Sequence, residues 1–372
     1  MKIEDLALQR SKYKHLSDEE WRWFLQQVEG RERTADKLPT FATIDDWWYP
    51  VRLSCEQCSS ELTAKYKASL VESQKSKDKS HFVDLTAGYG VDTYFLSEQF
   101  EHTDYVEQNA ELCRIAEHNF ANKPITIHNT TAEEFLKTAG PYDLIFADPA
   151  RRDSHGGKVF RLADCTPNVI ELLPELLQHG KRILIKLSPM LDITQALKEL
   201  SAVSWDVHVV AVKNEVKEVL LLSGGSGKIT AIDLDKKDQA FVFTREEEQN
   251  AQCQMVNGKC ENGKWLYEPN ASILKAGAYK LIAQRLGLQK LDVNTHLYAS
   301  DQLVEHFPGR VWEIVESQKS KDERQANVLT RNYPLTPEQL KKKLHLKDGG
   351  DVYIIGCRVA GKPTLFYAER IN

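Results

Sequence analysis

Apolar positions change their spacing along the chain, and each change marks a different kind of element. Up to about residue 80 the spacing is helical. Ser17 is placed to cap a helix opened by Asp18, Glu19 and Glu20, with Trp21, Phe24, Leu25 and Val28 along one face. The run Asp45-Asp46-Trp47-Trp48-Tyr49-Pro50 breaks the pattern, and a second helix is predicted over 54–71, followed by a charged connector at 75–80. From 81 to 225, short apolar runs at 82–85, 104–106, 125–128, 144–147, 183–187, 207–212 and 219–223 alternate with helical stretches. That is the pattern of a parallel sheet with crossover helices. Only residues 213–217 or so separate the last two runs, too few for a crossover, so an antiparallel hairpin is predicted there.

Gly224-Gly225-Ser226-Gly227 closes this stretch as a flexible joint. Residues 228–264 alternate apolar and polar side chains, as in Phe241-Val242-Phe243-Thr244, and read as β-structure. Beyond Trp265, helices at 272–286 and 337–344 alternate with strands at 351–359 and 364–368. The expected organisation is therefore an N-terminal helical region (1–80), an α/β domain (81–225), a β-rich connecting subdomain (226–264) and a C-terminal α+β domain (265–372). One octapeptide, Val-Glu-Ser-Gln-Lys-Ser-Lys-Asp, occurs at both 71–78 and 315–322 without wider similarity, so no repeat is inferred.

Composition narrows the class. With 372 residues, 41% apolar and 28% charged, collagen-like, disordered and membrane classes are excluded. The first residues have no apolar stretch of a signal peptide, and a cytoplasmic location is expected. Seven cysteines, spread along the chain, point to reduced thiols. The net charge of -5 argues against a nucleic-acid binder held by bulk charge, yet it is unevenly distributed. Residues 81–225 carry 13 basic and 21 acidic side chains, net -8, whereas 265–372 carry 16 and 12, net +4.

The chemistry begins where the first predicted strand ends. Asp84-Leu85-Thr86-Ala87-Gly88-Tyr89-Gly90 forms a turn between that strand and a helix predicted at 93–100. Glycines let the backbone approach a ligand closely. Glu107 lies 23 residues beyond Asp84, at the end of the second strand, where an acid can accept hydrogen bonds from both ribose hydroxyls. A dinucleotide would require G-x-G-x-x-G facing a pyrophosphate, but Thr93 occupies the third glycine position. Asp84 repels phosphate and suits an ammonium. S-adenosylmethionine has such an amino-acid end and a ribose, and no phosphate.

The turn resembles the cofactor motif of class I S-adenosylmethionine-dependent methyltransferases, and its Thr-Ala form is similar to that of several RNA methyltransferases. The resemblance implies a Rossmann-like seven-stranded sheet ending in an antiparallel hairpin. It implies S-adenosyl-L-methionine as cofactor, with Asp84, Thr86, Ala87, Gly88 and Gly90 around its methionine part and Glu107 on its ribose. The adenine side falls at Asn129-Thr130-Thr131-Ala132, giving Thr131 and Ala132 and no acid.

Asp148-Pro149-Ala150-Arg151-Arg152 follows the fourth strand. It resembles the [Asp/Asn]-Pro-Pro-aromatic motif of amino-group methyltransferases, which implies that Asp148 and Pro149 orient an exocyclic amine toward the methyl group. It departs at Ala150, in place of the second proline, and at Arg151, in place of the aromatic. Arg151 and Arg152 suit a phosphate or carboxylate as readily as a salt bridge within the domain. Lys186 closes an apolar strand and must reach solvent or an acid such as Asp148. Glu215 and Glu218 fit a solvated hairpin better than the site. Cys55-Glu56-Gln57-Cys58 has zinc-type spacing, but Cys253 and Cys260 are too far apart to complete it, and no metal is expected.

Three spaced segments, around Tyr267–Gly277, Phe307–Trp312 and Arg331–Pro334, resemble the C-terminal THUMP-like domain of a bacterial group of class I methyltransferases. That group also carries the Asp-Pro-Ala-Arg-Arg motif and an N-terminal segment similar to Leu53–Ser60. THUMP domains deliver RNA to attached enzymes, so RNA is the implied partner, with Lys275, Arg310 and Arg331 as candidate contacts. A methyltransferase for a small molecule or protein, and a non-catalytic RNA-binding protein, stay open as alternatives.

Overall fold

The computed structural model describes residues 6, 9–71, 80–151, 161–235, 240–256, 264–315 and 325–371. The connector up to Lys79, both copies of the octapeptide beyond their first residue, Arg152 and Cys260 lie outside the described residues. The chain divides into two compact units, Met1–Trp205 with Leu220–Gly225, and Asp206–Val219 with Ser226–Asn372. The N-terminal helices thus cluster with the following sheet rather than standing apart.

In the first unit, Ser17 caps the helix Asp18–Thr34 through a reciprocal box. Glu20 N–H donates to Ser17 Oγ at 3.2 Å, and Ser17 N–H donates to the Glu20 carboxylate at 2.7 Å. The helix predicted over 54–71 is two helices, Arg52–Gln57 and Glu61–Val71, because Cys58 leaves the helical region (ψ 160°) while the apolar spacing runs through the break. The strands are β1 (His81–Asp84), β2 (His102–Glu107), β3 (Ile125–Asn129), β4 (Tyr142–Ala147), β5 (Ala150–Arg151), β6 (Cys165–Thr166) and β7 (Gly180–Leu187). β5 and β6 pair antiparallel. The others form a parallel sheet in the order β7-β4-β1-β2-β3. Phe82, Val83, Ile145, Phe146, Ile183 and Leu184 are buried, as expected for strands covered on both faces. The strand order reverses between β1 and β4. The register sets Asp84 beside Tyr105 and Phe146, so the carboxyl ends of β1, β2 and β4 open together at this switch point.

In the second unit, Lys213 and Asn214, both at positive φ (52° and 60°), make the two-residue turn between β8 (Trp205–Val212) and β9 (Glu215–Ser223). β10 (Lys228–Asp233) pairs parallel with β8, and β11 (Phe241–Thr244) antiparallel with β10. The segment predicted as β-rich also contains a helix, Arg245–Asn250, because Thr244 and Glu247 form a capping box. A second sheet has the order β12 (Gln254–Met255), β14 (Gln289–Asp292), β15 (Thr295–Ser300), β13 (Trp265–Pro269), β16 (Gly309–Ile314), β19 (Lys362–Arg370), β18 (Val352–Val359), β17 (Asn327–Arg331). The helix predicted over 272–286 is two, Ala271–Ala276 and Leu281–Leu286, since Gly277 turns left-handed (φ 85°) and ends the first. Pro337–Leu344 is one helix, capped by Thr336.

Candidate functional site

Asp84 ends β1 with its carboxylate buried, 1% exposed. Oδ1 accepts from the Thr86 N–H at 3.0 Å and Oδ2 from the Thr93 hydroxyl at 2.7 Å. Burial pushes its pKa up to about 7, against those two hydrogen bonds and with help from the negative charges of Asp92 and Asp148. Thr93 therefore replaces a glycine for a reason: its hydroxyl holds the turn's acid. Thr86 has a second use, because its Oγ accepts from the Asp148 N–H at 2.7 Å and so ties the β1 turn to the end of β4.

The two glycines of the turn serve different ends. Both are left-handed, Gly88 at φ 57° and Gly90 at 82°. A Cβ on Gly90 would lie 2.7 Å from the Phe120 ring, so packing demands that glycine. A Cβ on Gly88 would meet nothing closer than the Thr86 carbonyl at 3.8 Å. The Gly88 N–H donates to Glu107 Oε2 at 3.0 Å, and the Asn109 N–H donates to Oε1 at 2.7 Å. Glu107 is thereby fixed at the end of β2, with a lone pair left on each oxygen for a further donor. The Tyr105 hydroxyl donates to the Gly88 carbonyl.

A cavity of about 630 Å³ opens over this edge, and Asp84, Thr86, Ala87, Gly88, Gly90, Glu107, Thr131, Ala132 and Asp148 all line it. Thr131 caps the helix Ala132–Leu136 by accepting from the Glu134 N–H. Glu133 also lines the cavity, supplying an acid one position beyond the Asn129–Ala132 window. An acid on a strand end, an open glycine face and no phosphate-binding turn fit a ligand with a ribose and an ammonium. Pro149 and Lys186 are not in the lining, and of the two arginines only Arg151 has a described backbone, in β5.

Behind Asp148 stands a chain of charges. Lys186 forms an ion pair with the Asp148 carboxylate, and its Nζ donates to Ser59 Oγ at 3.3 Å. Ser59 donates to Asp92 Oδ2 at 2.6 Å, and Lys67 Nζ lies 3.1 Å from Asp92 Oδ1. Burial would raise the pKa of Asp92, but Lys67, Lys186 and the Ser59 hydroxyl together hold it below its ordinary value. Sequence reasoning missed Ser59, Lys67 and Asp92. Lys67 sits within a helical pattern, and only the break at Cys58 brings Ser59 to the site.

The remaining candidates are engaged elsewhere. Glu268, buried in β13, takes Arg310 on one oxygen and Arg331 Nε at 2.5 Å on the other, so both proposed RNA contacts are held within their own unit. Glu215 pairs with Lys217, and Glu218 is buried. Cys55 is buried, which pushes its thiol up to about 12, and Cys58 is raised for the same reason. Trp47 is buried and donates to the Tyr89 hydroxyl, while Trp48 stacks on His118.

Residues 265–308 match a ferredoxin-like domain family and residues 305–370 a THUMP domain-like family. A crystal structure of a provisionally assigned methyltransferase from Porphyromonas gingivalis W83 superposes with a TM-score of 0.84 at 33% identity, covering 96% of this chain and 92% of that one. Uncharacterized S-adenosylmethionine-dependent methyltransferases of two Mycobacterium tuberculosis strains, CDC 1551 and H37Rv, are each 26% identical over 232 residues. Those matches cover 58% of this chain and 60% of each relative.

Proposed function

The chain belongs to the S-adenosylmethionine-dependent methyltransferases that carry a C-terminal THUMP-like domain, and we propose that it methylates a nitrogen of a structured RNA. The observation that carries this reading is the convergence of Asp84, Gly88, Glu107 and Asp148 on one cavity at the switch point of the sheet. Glu107 accepts from the ribose hydroxyls, using the lone pairs its backbone partners leave. The open face of Gly88 admits the ligand, while Asp84 and the turn it organises face the ammonium. S-adenosylmethionine supplies a methyl group already activated on a sulfonium. The chain's own task is alignment and exclusion of water.

Asp148, held by the Thr86 hydroxyl through its N–H and by Lys186 through its carboxylate, accepts a hydrogen bond from the acceptor amine and directs its lone pair. Pro149 fixes the backbone beside it. Arg151 and Arg152 contact the substrate next to this point, and a phosphate suits them. The THUMP-like match and the basic excess of residues 265–372 support RNA. Arg310 and Arg331 are spent on Glu268, which keeps a small-molecule or protein acceptor as the second reading.

The test is transfer of tritium from methyl-labelled S-adenosylmethionine to RNA from cells lacking the gene, followed by mass spectrometry of the nucleosides. A methylated nucleoside restored by the protein supports the reading. Label that enters only protein or small molecules overturns the RNA half and leaves the methyltransferase.

A further inference from the structure

The charges behind Asp148 are costly to bury, and that cost calls for a use. Lys67 has no exposed surface, Asp92 and Ser59 are buried, and the Lys186 side chain is 14% exposed. Ser59, Asp92 and Asp148 all line the cavity, and Asp148 is the most exposed of the three. Removing an ammonium from water costs several kcal/mol, and apolar side chains of the same volume would usually hold the fold as well or better. The cluster is also built from distant segments: Lys67 from the helix Glu61–Val71, Ser59 from the break before it, Asp92 from the helix after the glycine turn, Lys186 from β7 and Asp148 from the end of β4. Ser59 is the hub. Its single hydroxyl donates to Asp92 at 2.6 Å and accepts from both Lys186, at 3.3 Å, and Lys67, at 3.4 Å.

We propose that Ser59 is a positioning residue of the methyl-transfer site: anchored by Lys67 and Asp92, it holds the Lys186 ammonium against Asp148 and so fixes the carboxylate that orients the acceptor. The function of the N-terminal helices is then to complete the catalytic centre. This rests on the methyltransferase reading for its purpose but not for its geometry. Without the hydroxyl, Lys186 keeps its ion pair but loses the donor-acceptor contact that aims it, and both groups gain freedom at a point where small displacements are expensive.

Competitive acetylation of the full chain by trace acetic anhydride, with the Lys186 peptide quantified by mass spectrometry, reads that freedom directly. Ser59→Ala should raise Lys186 acetylation about fivefold, the effect of losing one ordinary hydrogen bond, and Ser59→Thr, which keeps the hydroxyl, should restore it. Acetylation of Lys186 that is equal in Ser59→Ala and wild type, or that stays high in Ser59→Thr, overturns the proposal. Calorimetry with S-adenosylmethionine on the same proteins separates the two ideas. Wild-type-like binding by Ser59→Ala shows an intact fold, and a failure of wild type to bind sinks the methyltransferase reading while the acetylation result still decides the role of Ser59. In the tritium-transfer assay, Ser59→Ala should lower kcat with KM for S-adenosylmethionine unchanged.

Discussion

Two regions of the molecule bury carboxylates against cations, and they use them differently. At the carboxyl edge of the first unit's parallel sheet, Asp92 and Asp148 line a cavity beside Asp84, which its own turn holds, and their lysine partners come from segments far apart in the chain. In the second unit, Glu268 lies within a sheet and takes two guanidinium groups, from the neighbouring strand β16 and from β17. The first arrangement leaves acids facing a ligand-sized space, and the second consumes basic residues. A basic excess counted along residues 265–372 is therefore not an equal excess at the surface, and acidity counted along 81–225 is partly the making of a site.

The two regions should also part company in acid. Asp84 has a folded pKa raised from 3.8 to about 7, so its stabilising protonation is fully present below about pH 3.8 and is lost as pH rises through 7. In the second unit, burial lowers His208 and His296 from 6.5 to about 4, so their contribution is present above about pH 6.5 and lost as pH falls. Urea unfolding across this range should show Asp84→Asn gaining on wild type as pH rises, by at most about 4 kcal/mol. His208→Gln and His296→Gln should flatten the acid loss. A wild type and Asp84→Asn with parallel pH profiles would break the contrast.

Backbone demands give the next largest effect. Gly90→Ala drives a methyl into Phe120 and strains a left-handed residue, a loss of about 3 kcal/mol in thermal or urea unfolding. Gly88→Ala meets only the Thr86 carbonyl, at an ordinary 3.8 Å, and should cost about 1 kcal/mol while weakening cofactor binding. Equal losses at the two positions would contradict their different roles.

Glu268→Gln comes next. It leaves two guanidinium groups without their anion, and because both are partly exposed the expected loss is about 2 kcal/mol, below the range for fully buried pairs. The smallest effect concerns RNA. Arg310→Gln and Arg331→Gln should change RNA affinity, read by filter binding at two salt concentrations, by less than about twofold and leave the salt slope unaltered. A slope reduced by about one per substitution would show that these arginines reach phosphate after all.

What could be read from the chain follows the range of the interactions. The β1 turn, Glu107 and the Asp148 segment each lie at a strand end, where local apolar runs set the address, and Lys186 was legible because a lysine closing an apolar run needs an acid. The two split helices were not legible, since apolar spacing continues across Cys58 and Gly277 while the breaks depend on single backbone conformations. Ser59, Lys67 and Asp92 meet only in three dimensions, and the capture of Arg310 and Arg331 by Glu268 depends on strand pairing across the C-terminal sheet.

The central claim is that the edge built on Asp84, Gly88 and Glu107 holds S-adenosylmethionine. Its most direct test is calorimetric titration of the full chain with S-adenosylmethionine beside Glu107→Ala. The account predicts one saturable site in wild type, weakened about 100-fold in the variant through loss of charged hydrogen bonds to the ribose. No heat of binding in wild type at millimolar ligand, with Glu107→Ala indistinguishable from it, would contradict the account.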